Sequence, residues 1–274
     1  MIEIPEAIVL SQQLNKTIQG KRIESVIAAG SPHKFAWFLG DPAGYDALLA
    51  GRSVKTARPY GGRVEIEAEG AIMHFGEGVN LRFFDDEESI PAKHQLYVRF
   101  ADGSSLVCTV AMYGCLFCCE QGKLDNFYSQ IAKEKPSPMS DEFDYSYFLS
   151  LFDEKSMKLS AKAFLATEQR IPGLGNGVVQ DILLCAKLHP KRKMNSIDDG
   201  QKQLLFCSIK SVLSDMASSG GRDTEKDLFG DPGGYITKMS SANKSMTCHI
   251  CGGAVHKENY MGGSIYYCEN CQRL

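Results

Sequence analysis

The chain has 274 residues, of which 43% are hydrophobic and 23% are charged, and its formal net charge is −3 at pH 7. This length has room for two domains and a small additional module. No apolar run approaches the length of a transmembrane helix. The first ten residues contain two acids and lack the basic and apolar pattern of a signal peptide. We therefore expect a cytoplasmic protein that does not bind membranes.

Basic residues are concentrated in one short stretch. Residues 155–193 contain 8 basic and 2 acidic side chains, whereas residues 1–154 contain 14 basic and 22 acidic ones. A local basic block in an acidic protein indicates a contact with a polyanion, although a solvated helical face would give the same composition. The acidic first half argues against tight, non-specific wrapping of nucleic acid.

The first 132 residues are predicted to form one helix followed by several antiparallel strands. The helix begins near Pro5, because Ile8, Leu10, Leu14 and Ile18 follow at helical spacing. The stretches after it alternate or are rich in β-branched and aromatic residues, with glycine breaks. One helix and several strands predict a β-sandwich or flattened barrel. The predicted strands lie in RIESVIAAG, RSVKTARPYG, GRVEIEAEGAIMHFG, VNLRFFD, HQLYVRFADGSSLVCTVAMYG and CLFCCEQG.

The second half is predicted to be helical. Residues 133–144 are polar, contain two prolines and are typical of a linker. A helix over about 158–168 leads into a turn with Gly173 and Gly175, and a second helix runs to Leu188. The two glycines allow close packing and bring backbone N–H groups to the surface.

The start of that second helix is a candidate phosphate site. Exposed N–H groups at a helix N-terminus attract anions, and Lys155, Lys158 and Lys162 precede the turn. Asn176 is placed to cap the second helix or to extend its amide outward. As structure alone, the segment is a tight corner between two helices.

The end of the chain contains two Cys-x-x-Cys pairs. Cys248 and Cys251 form the first pair, and Cys268 and Cys271 form the second. Two such turns supply four thiolates in a tetrahedral arrangement, which suits zinc. The residues between them predict two short strands around a Gly262-Gly263 turn. Two disulfides are the alternative, but they would require an oxidising compartment.

Five segments share their motifs, in this order along the chain, with one known family. They are MIEIPE at the start, HFGEG at 74–78, QRIPGLGNGVVQDILLCAKLHP, GGRDTEKDLFGDPGGY and YYCENCQ. Together they resemble the formamidopyrimidine-DNA glycosylase/endonuclease VIII family. The resemblance implies an α+β fold with an N-terminal β-sandwich and leading helix (1–132), a linker (133–144), a helix–two-turn–helix domain (145–240) and a four-cysteine zinc-finger β-hairpin (241–274). It also implies a monomer that binds DNA in a cleft between the domains.

The resemblance implies a covalent amine mechanism. In the family, an N-terminal proline attacks C1′ of a damaged nucleotide flipped from the duplex, the base is expelled and the strand is cut by elimination. The following glutamate handles protons, and Glu3 matches it in this sequence. Here Ile2 replaces the proline, so that the α-amine of Met1 is the candidate nucleophile. Arg63 is the nearest cation to the position of the family's phosphate-binding lysine.

Other family positions differ as well. The finger arginine is replaced by Gly263 or Ser264, and an intercalating methionine by Glu77. The wedge that fills the gap left by the flipped base corresponds to TVAMYG, where Tyr113 is the candidate stacking residue. The resemblance further implies nucleic-acid contacts by Lys162, Gly175, Asn176, Arg222 and His74, although a histidine in an apolar strand is also typical of a core.

Three hypotheses follow from this sequence. The first is a DNA glycosylase or abasic-site lyase that acts on oxidised bases in damaged duplex DNA, with zinc in its finger. The second is a catalytically inactive relative that binds DNA or structured RNA. The third is a scaffold or protein-interaction role without nucleic-acid binding. Salt-dependent duplex binding separates the third hypothesis from the others, and chemistry at an abasic site separates the first two.

Overall fold

The computed structural model describes residues 1–86, 90–243 and 245–274. Within these ranges, seven strands form one sheet in the order β1-β6-β7-β5-β4-β3, with β2 added alongside β7. All neighbouring strands are antiparallel except β2, which is parallel to β7. The strands are β1 (Ile23–Ala28), β2 (Ala36–Phe38), β3 (Val54–Tyr60), β4 (Arg63–Ala68), β5 (Ala71–Phe84), β6 (Leu96–Phe100) and β7 (Ser105–Glu120).

The leading helix α1 (Ile4–Thr17) connects the two halves of the molecule. Leu10 and Leu14 pack in the core of the sheet, whereas Ile4 packs in the core of the helical half. The helix starts at a capping box in which Glu3 and Glu6 satisfy each other's backbone N–H groups. Its N-terminus is therefore fixed at the boundary between the two cores.

The helical half contains α4 (Tyr145–Ser150), α5 (Ala161–Ala166), α6 (Asn176–Cys185) and α7 (Asp199–Ser218). The predicted helix over 158–168 is shorter than expected, because the Ser160 hydroxyl caps α5 and a 3-10 turn precedes it. The second helix ends before Leu188, because Lys187 adopts a left-handed conformation with φ of +54°.

Two helices were not predicted within the first 135 residues. They are the short α2 (Tyr45–Leu49) and α3 (Phe127–Glu134), and α3 ends inside the predicted linker. Phe143, near the end of that linker, is fully buried in the helical core. The domain boundaries at 132, 144 and 240 stay a prediction.

The C-terminal hairpin consists of β8 (His256–Tyr260) and β9 (Gly263–Tyr267). Met261 and Gly262 form the turn, both with positive φ, so that the turn lies one residue earlier than predicted. Among the helices of the described ranges, none is both long and apolar enough to cross a membrane.

Candidate functional site

A cleft of about 200 Å³, partly open to solvent, lies where the N-terminus, the sheet and the turn before α6 meet. It brings together several of the residues predicted from the sequence. Four partly exposed or ion-paired members are called the cleft rim below: Met1, Arg63, Glu77 and Tyr113. The other lining residues are Ile2, Glu3, Gly62, Ala132, Ala166, Gln169, Gly173, Leu174 and Gly175.

The N-terminus is held against the sheet by its backbone. The Ile2 N–H donates to the Glu77 carbonyl at 2.7 Å, and the Ile2 side chain is buried. This bond leaves the α-amine of Met1 beside the cleft, where it forms an ion pair with the Glu225 carboxylate. Glu225 was not predicted as a site residue, because nothing in the sequence indicates that a residue 224 positions away would contact the N-terminus.

Glu3 lies at the N-terminus of α6. Its two carboxylate oxygens accept hydrogen bonds from the backbone N–H groups of Gly177 and Val178, each at 2.9 Å. The helix terminus predicted to bind a phosphate therefore already holds an anion supplied by the chain itself. Burial raises the pKa of Glu3, while the charge of Arg222 opposes that shift.

Glycines make room for this arrangement. A Cβ at Gly175 would lie 2.8 Å from the Glu3 carboxyl carbon, and a Cβ at Gly177 would overlap the Arg222 guanidinium. Gly173 has φ of +81° and packs against the backbone of Gly62. The predicted close packing of the turn therefore has a specific cause, which is space for a carboxylate and a guanidinium.

Arg222 is buried among carboxylates. Its Nε and Nη2 atoms donate to the two carboxylate oxygens of Glu6 at 2.8 and 2.7 Å, and Nη1 lies 3.6 Å from Glu3. Only 2% of the residue is exposed. These charges raise the pKa of Arg222 despite its desolvation. The predicted nucleic-acid contact by Arg222 does not fit this burial. The group formed by Glu3, Glu6 and Arg222 is called the carboxylate corner below.

Arg63 has two partners inside the protein. Its Nη2 donates to Glu77 at 3.0 Å and its Nη1 to the Cys115 thiol at 3.1 Å. Glu77 is in a left-handed conformation, with φ of +65°, at a bulge between β5 and β7. This conformation directs Glu77 toward Arg63, so that the cation predicted to bind phosphate is already paired with an acid.

Tyr113 follows the same bulge. A Cβ at Gly78 would clash with the Tyr113 carbonyl, so the two backbones approach very closely. The ring is partly exposed and lines the cleft, as expected of a stacking residue. Burial, together with the charges of Glu77 and Glu3, raises the pKa of its hydroxyl.

His74 is wholly buried under α3. Its Nε2 lies 2.9 Å from the Ser129 hydroxyl and its Nδ1 lies 3.3 Å from Glu65. Burial lowers the pKa of His74, although the Glu65 carboxylate opposes the shift. The possible nucleic-acid contact is therefore wrong for this conformation, and the histidine is a satisfied core residue.

Lys162 and Asn176 hold the hairpin against the helices. The Lys162 ammonium donates to the Tyr260 carbonyl at 2.8 Å, and burial lowers the pKa of Lys162. The Asn176 amide donates to the Ser264 carbonyl at 3.2 Å. Both side chains were predicted as nucleic-acid contacts, and the structure gives them partners within the protein. By contrast, Lys155 and Lys158, which lie in the same basic block (155–193), are exposed.

The four C-terminal cysteines converge. Their sulfur atoms all lie within 4.8 Å of one another, and the Cys248–Cys271 and Cys251–Cys268 pairs are separated by 3.8 and 3.5 Å. Four sulfurs at such spacing fit a zinc ion at about 2.3 Å from each. The donor set therefore supports the predicted structural zinc, which would fix the hairpin and perform no chemistry in the cleft.

No family model matches the chain, but curated proteins match it over their full length. The chain is 27% identical to the formamidopyrimidine-DNA glycosylase of Wolbachia pipientis from Culex pipiens and 25% identical to that of Cytobacillus firmus. Each alignment covers 99% of this chain and 100% of the relative. A shorter alignment, with 30% identity, covers 54% of this chain and 54% of the same enzyme from Rickettsia bellii.

Solved structures have the same fold. The Lactococcus lactis Fpg in complex with DNA containing an abasic site superimposes with a TM-score of 0.83 at 23% identity, covering 99% of this chain and 100% of the other. The MutM (Fpg) protein of Thermus thermophilus gives 0.80 at 21% identity and 98% coverage of both chains. The α+β fold predicted from the sequence is confirmed by these superpositions.

Proposed function

We propose that this chain is a member of the formamidopyrimidine-DNA glycosylase family and a DNA-repair protein that binds damaged duplex DNA in the cleft, because curated enzymes of that name match it over their full length. We further propose that it acts on abasic sites through the α-amine of Met1. One observation carries this second step: Met1, with its α-amine, and Glu3, which corresponds to the family's proton-handling glutamate, both line the same cleft.

The chemistry follows from these two groups. The neutral amine attacks C1′ of the ring-opened abasic sugar, and loss of water gives an imine. Removal of a proton from C2′ then expels the 3′ phosphate by β-elimination, and water releases the amine. Met1 must first leave Glu225 and lose a proton. Glu3 is the proposed proton carrier, because burial raises its pKa and two backbone N–H groups fix its position.

A non-catalytic nucleic-acid-binding protein is the second candidate. It is favoured over the lyase by the ion pair between the Met1 α-amine and Glu225, because an amine held as a cation cannot attack a sugar. On either proposal the protein acts as a cytoplasmic monomer, where its zinc-ligating thiols stay reduced. Duplex DNA is the proposed partner and structured RNA the alternative.

The test is borohydride trapping on a duplex with one abasic site. We expect a covalent protein–DNA band whose cross-linked peptide begins at Met1. Two residues added before Met1 move the amine away from the cleft, and this variant should give no band while still binding DNA. An active relative provides the positive control.

No band from the native chain, with normal binding to the duplex, would replace the lyase proposal by the non-catalytic one. A band mapped to a lysine would contradict the role of Met1. Absence of salt-dependent duplex binding would contradict DNA as the partner in both proposals and leave structured RNA as the alternative.

A further inference from the structure

A second surface, next to the cleft, exposes aromatic side chains that neither the family resemblance nor the cleft explains. Residues 33–38 read HKFAWF, in which a histidine and a lysine precede three aromatic residues. Phe35 and Trp37 are both 46% exposed, and Met112, across the bulge, is 66% exposed. Large apolar side chains clustered at a protein surface mark a contact with a partner.

The segment is held rigidly although it is short. β2 pairs with Gly114–Leu116 of β7, and the Gly114 N–H donates to the Phe35 carbonyl at 3.0 Å. The buried Tyr45 hydroxyl accepts from the Leu39 N–H and donates to the Leu116 carbonyl. Because Ala36 and Phe38 pack on the core of the sheet, strand alternation turns Trp37 outward.

Trp37 is continuous with the cleft. Its ring centroid lies 5.9 Å from that of Tyr113, with an angle of 41° between the planes, and Tyr113 itself lines the cleft. The two rings therefore form one aromatic ledge that begins inside the cleft and ends at the surface. Lys34 lies over the Phe35 ring at 5.3 Å and adds a positive charge at the outer end.

We propose that Trp37, together with Tyr113, stacks on an unpaired base of the DNA bound in the cleft. An aromatic ring accepts the flat face of any base, and a positive charge beside it, here Lys34, contacts the phosphate backbone. The faces of a base in a duplex are covered by its stacked neighbours, and a base that has lost its partner leaves the stack at the lowest cost, so this ledge selects DNA that contains such a base. The inference rests on the proposed DNA binding and adds a residue, Trp37, that recognises the strand opposite an abasic site.

Trp37 is the only tryptophan in the chain, which makes its fluorescence a direct probe. Three labelled duplexes are compared: undamaged, with a stable abasic analogue opposite adenine, and with abasic analogues on both strands at the same step. We expect the second duplex to quench Trp37 emission and to bind about tenfold more tightly than the third. Trp37→Phe should keep this preference, and Trp37→Ala should lose it.

Ile27→Ala is the matched control, because Ile27 is a large apolar side chain, 51% exposed, on the edge strand β1. It should leave binding unchanged. Equal affinity of the second and third duplexes, with unaltered emission, would overturn this inference and leave the proposed DNA binding intact. Self-association that is lost in Trp37→Ala, without an effect on DNA binding, would assign the ledge to a second copy instead. Failure to bind any duplex would overturn the proposed function and this inference together.

Discussion

The carboxylate corner and the cleft rim lie side by side but use their charges differently. In the corner, Arg222 and Glu6 are buried and joined by two hydrogen bonds, and the Glu3 carboxylate accepts hydrogen bonds from two backbone N–H groups. In the rim, Met1 is 38% exposed and the Glu77 side chain 31%, and each makes a single ion pair. A buried network tolerates little change, whereas a half-exposed pair is easily replaced. Glu3 and Glu6 of the corner match the family resemblance, whereas Arg63 and Glu77 of the rim stand where it has a lysine and a methionine.

Removal of zinc is expected to have the largest effect. It tests whether the finger, like the carboxylate corner, is a part of the structure that tolerates little change. A chelator should unfold 248–271, because zinc binding and folding of such a module are coupled. Hydrogen exchange should rise in the finger and at the start of α6, and duplex affinity should fall by at least about tenfold. Cys207→Ser, at an exposed cysteine outside the finger, is the control and should change neither. Unchanged exchange after chelation would contradict the zinc site.

Loss of Arg222 should cost more than loss of Arg63. Arg222→Ala leaves two buried carboxylates without their partner, and we expect the free energy of unfolding to fall by about 3–5 kcal/mol. Arg63→Ala removes a buried side chain that also donates to Cys115, but it leaves Glu77, which solvent can reach, and should cost about 1–3 kcal/mol. Urea denaturation measures both. Equal losses would remove the distinction between corner and rim.

A methyl group at Gly177 should disturb the corner alone. Gly177→Ala would overlap the Arg222 guanidinium, and overpacking of this kind costs about 1–3 kcal/mol. Gly44→Ala is the matched control, because a Cβ there meets nothing within 4 Å and φ is −80°. Thermal unfolding should separate the two variants by several degrees. Similar melting temperatures would mean that the corner is looser than the structure indicates.

The smallest expected effect is a change in duplex affinity caused by a substitution at the rim. Whether the affinity rises or falls is the test. Glu77→Gln removes a negative charge beside Arg63 but keeps an oxygen that can accept its hydrogen bond. Duplex affinity should rise a few-fold, which corresponds to about 1 kcal/mol, because Arg63 becomes available to a phosphate. Titrations at two salt concentrations measure the gain, which should shrink at high salt. A loss of affinity would indicate that Glu77 contacts the DNA.

The sequence predicted features that depend on short spacing. The four zinc-site cysteines are recognisable because each pair is separated by two residues, and their sulfurs converge as expected. Gly173 and Gly175 were correctly identified as positions of close packing. The strands of the sheet follow from alternation and glycine breaks, since both act over a few residues.

Features that depend on distant partners were not predictable in the same way. Arg222 was interpreted as a nucleic-acid contact, and nothing local shows that Glu6, 216 residues away, neutralises it. Lys162 was interpreted likewise, although its ammonium binds the Tyr260 carbonyl. β2 was missed because three residues are too few to show a period, and its position depends on β7. The sequence therefore shows that a segment is basic, but it does not show which groups its charged side chains contact.

Gln180, on α6, is one of the side chains that dock the finger. The Gln180 amide donates to the Ser264 carbonyl and accepts from the Tyr266 N–H, each at 3.1 Å, so that it pairs with β9 as another strand would. Both bonds go to the backbone of the hairpin and neither depends on its side chains. These bonds do not depend on the side chains at positions 263 and 264, so Gly263 and Ser264 can differ from the arginine that the family resemblance places there without loss of this contact. The residues of the hairpin turn can therefore change while the bonds from Gln180 to the hairpin backbone stay the same.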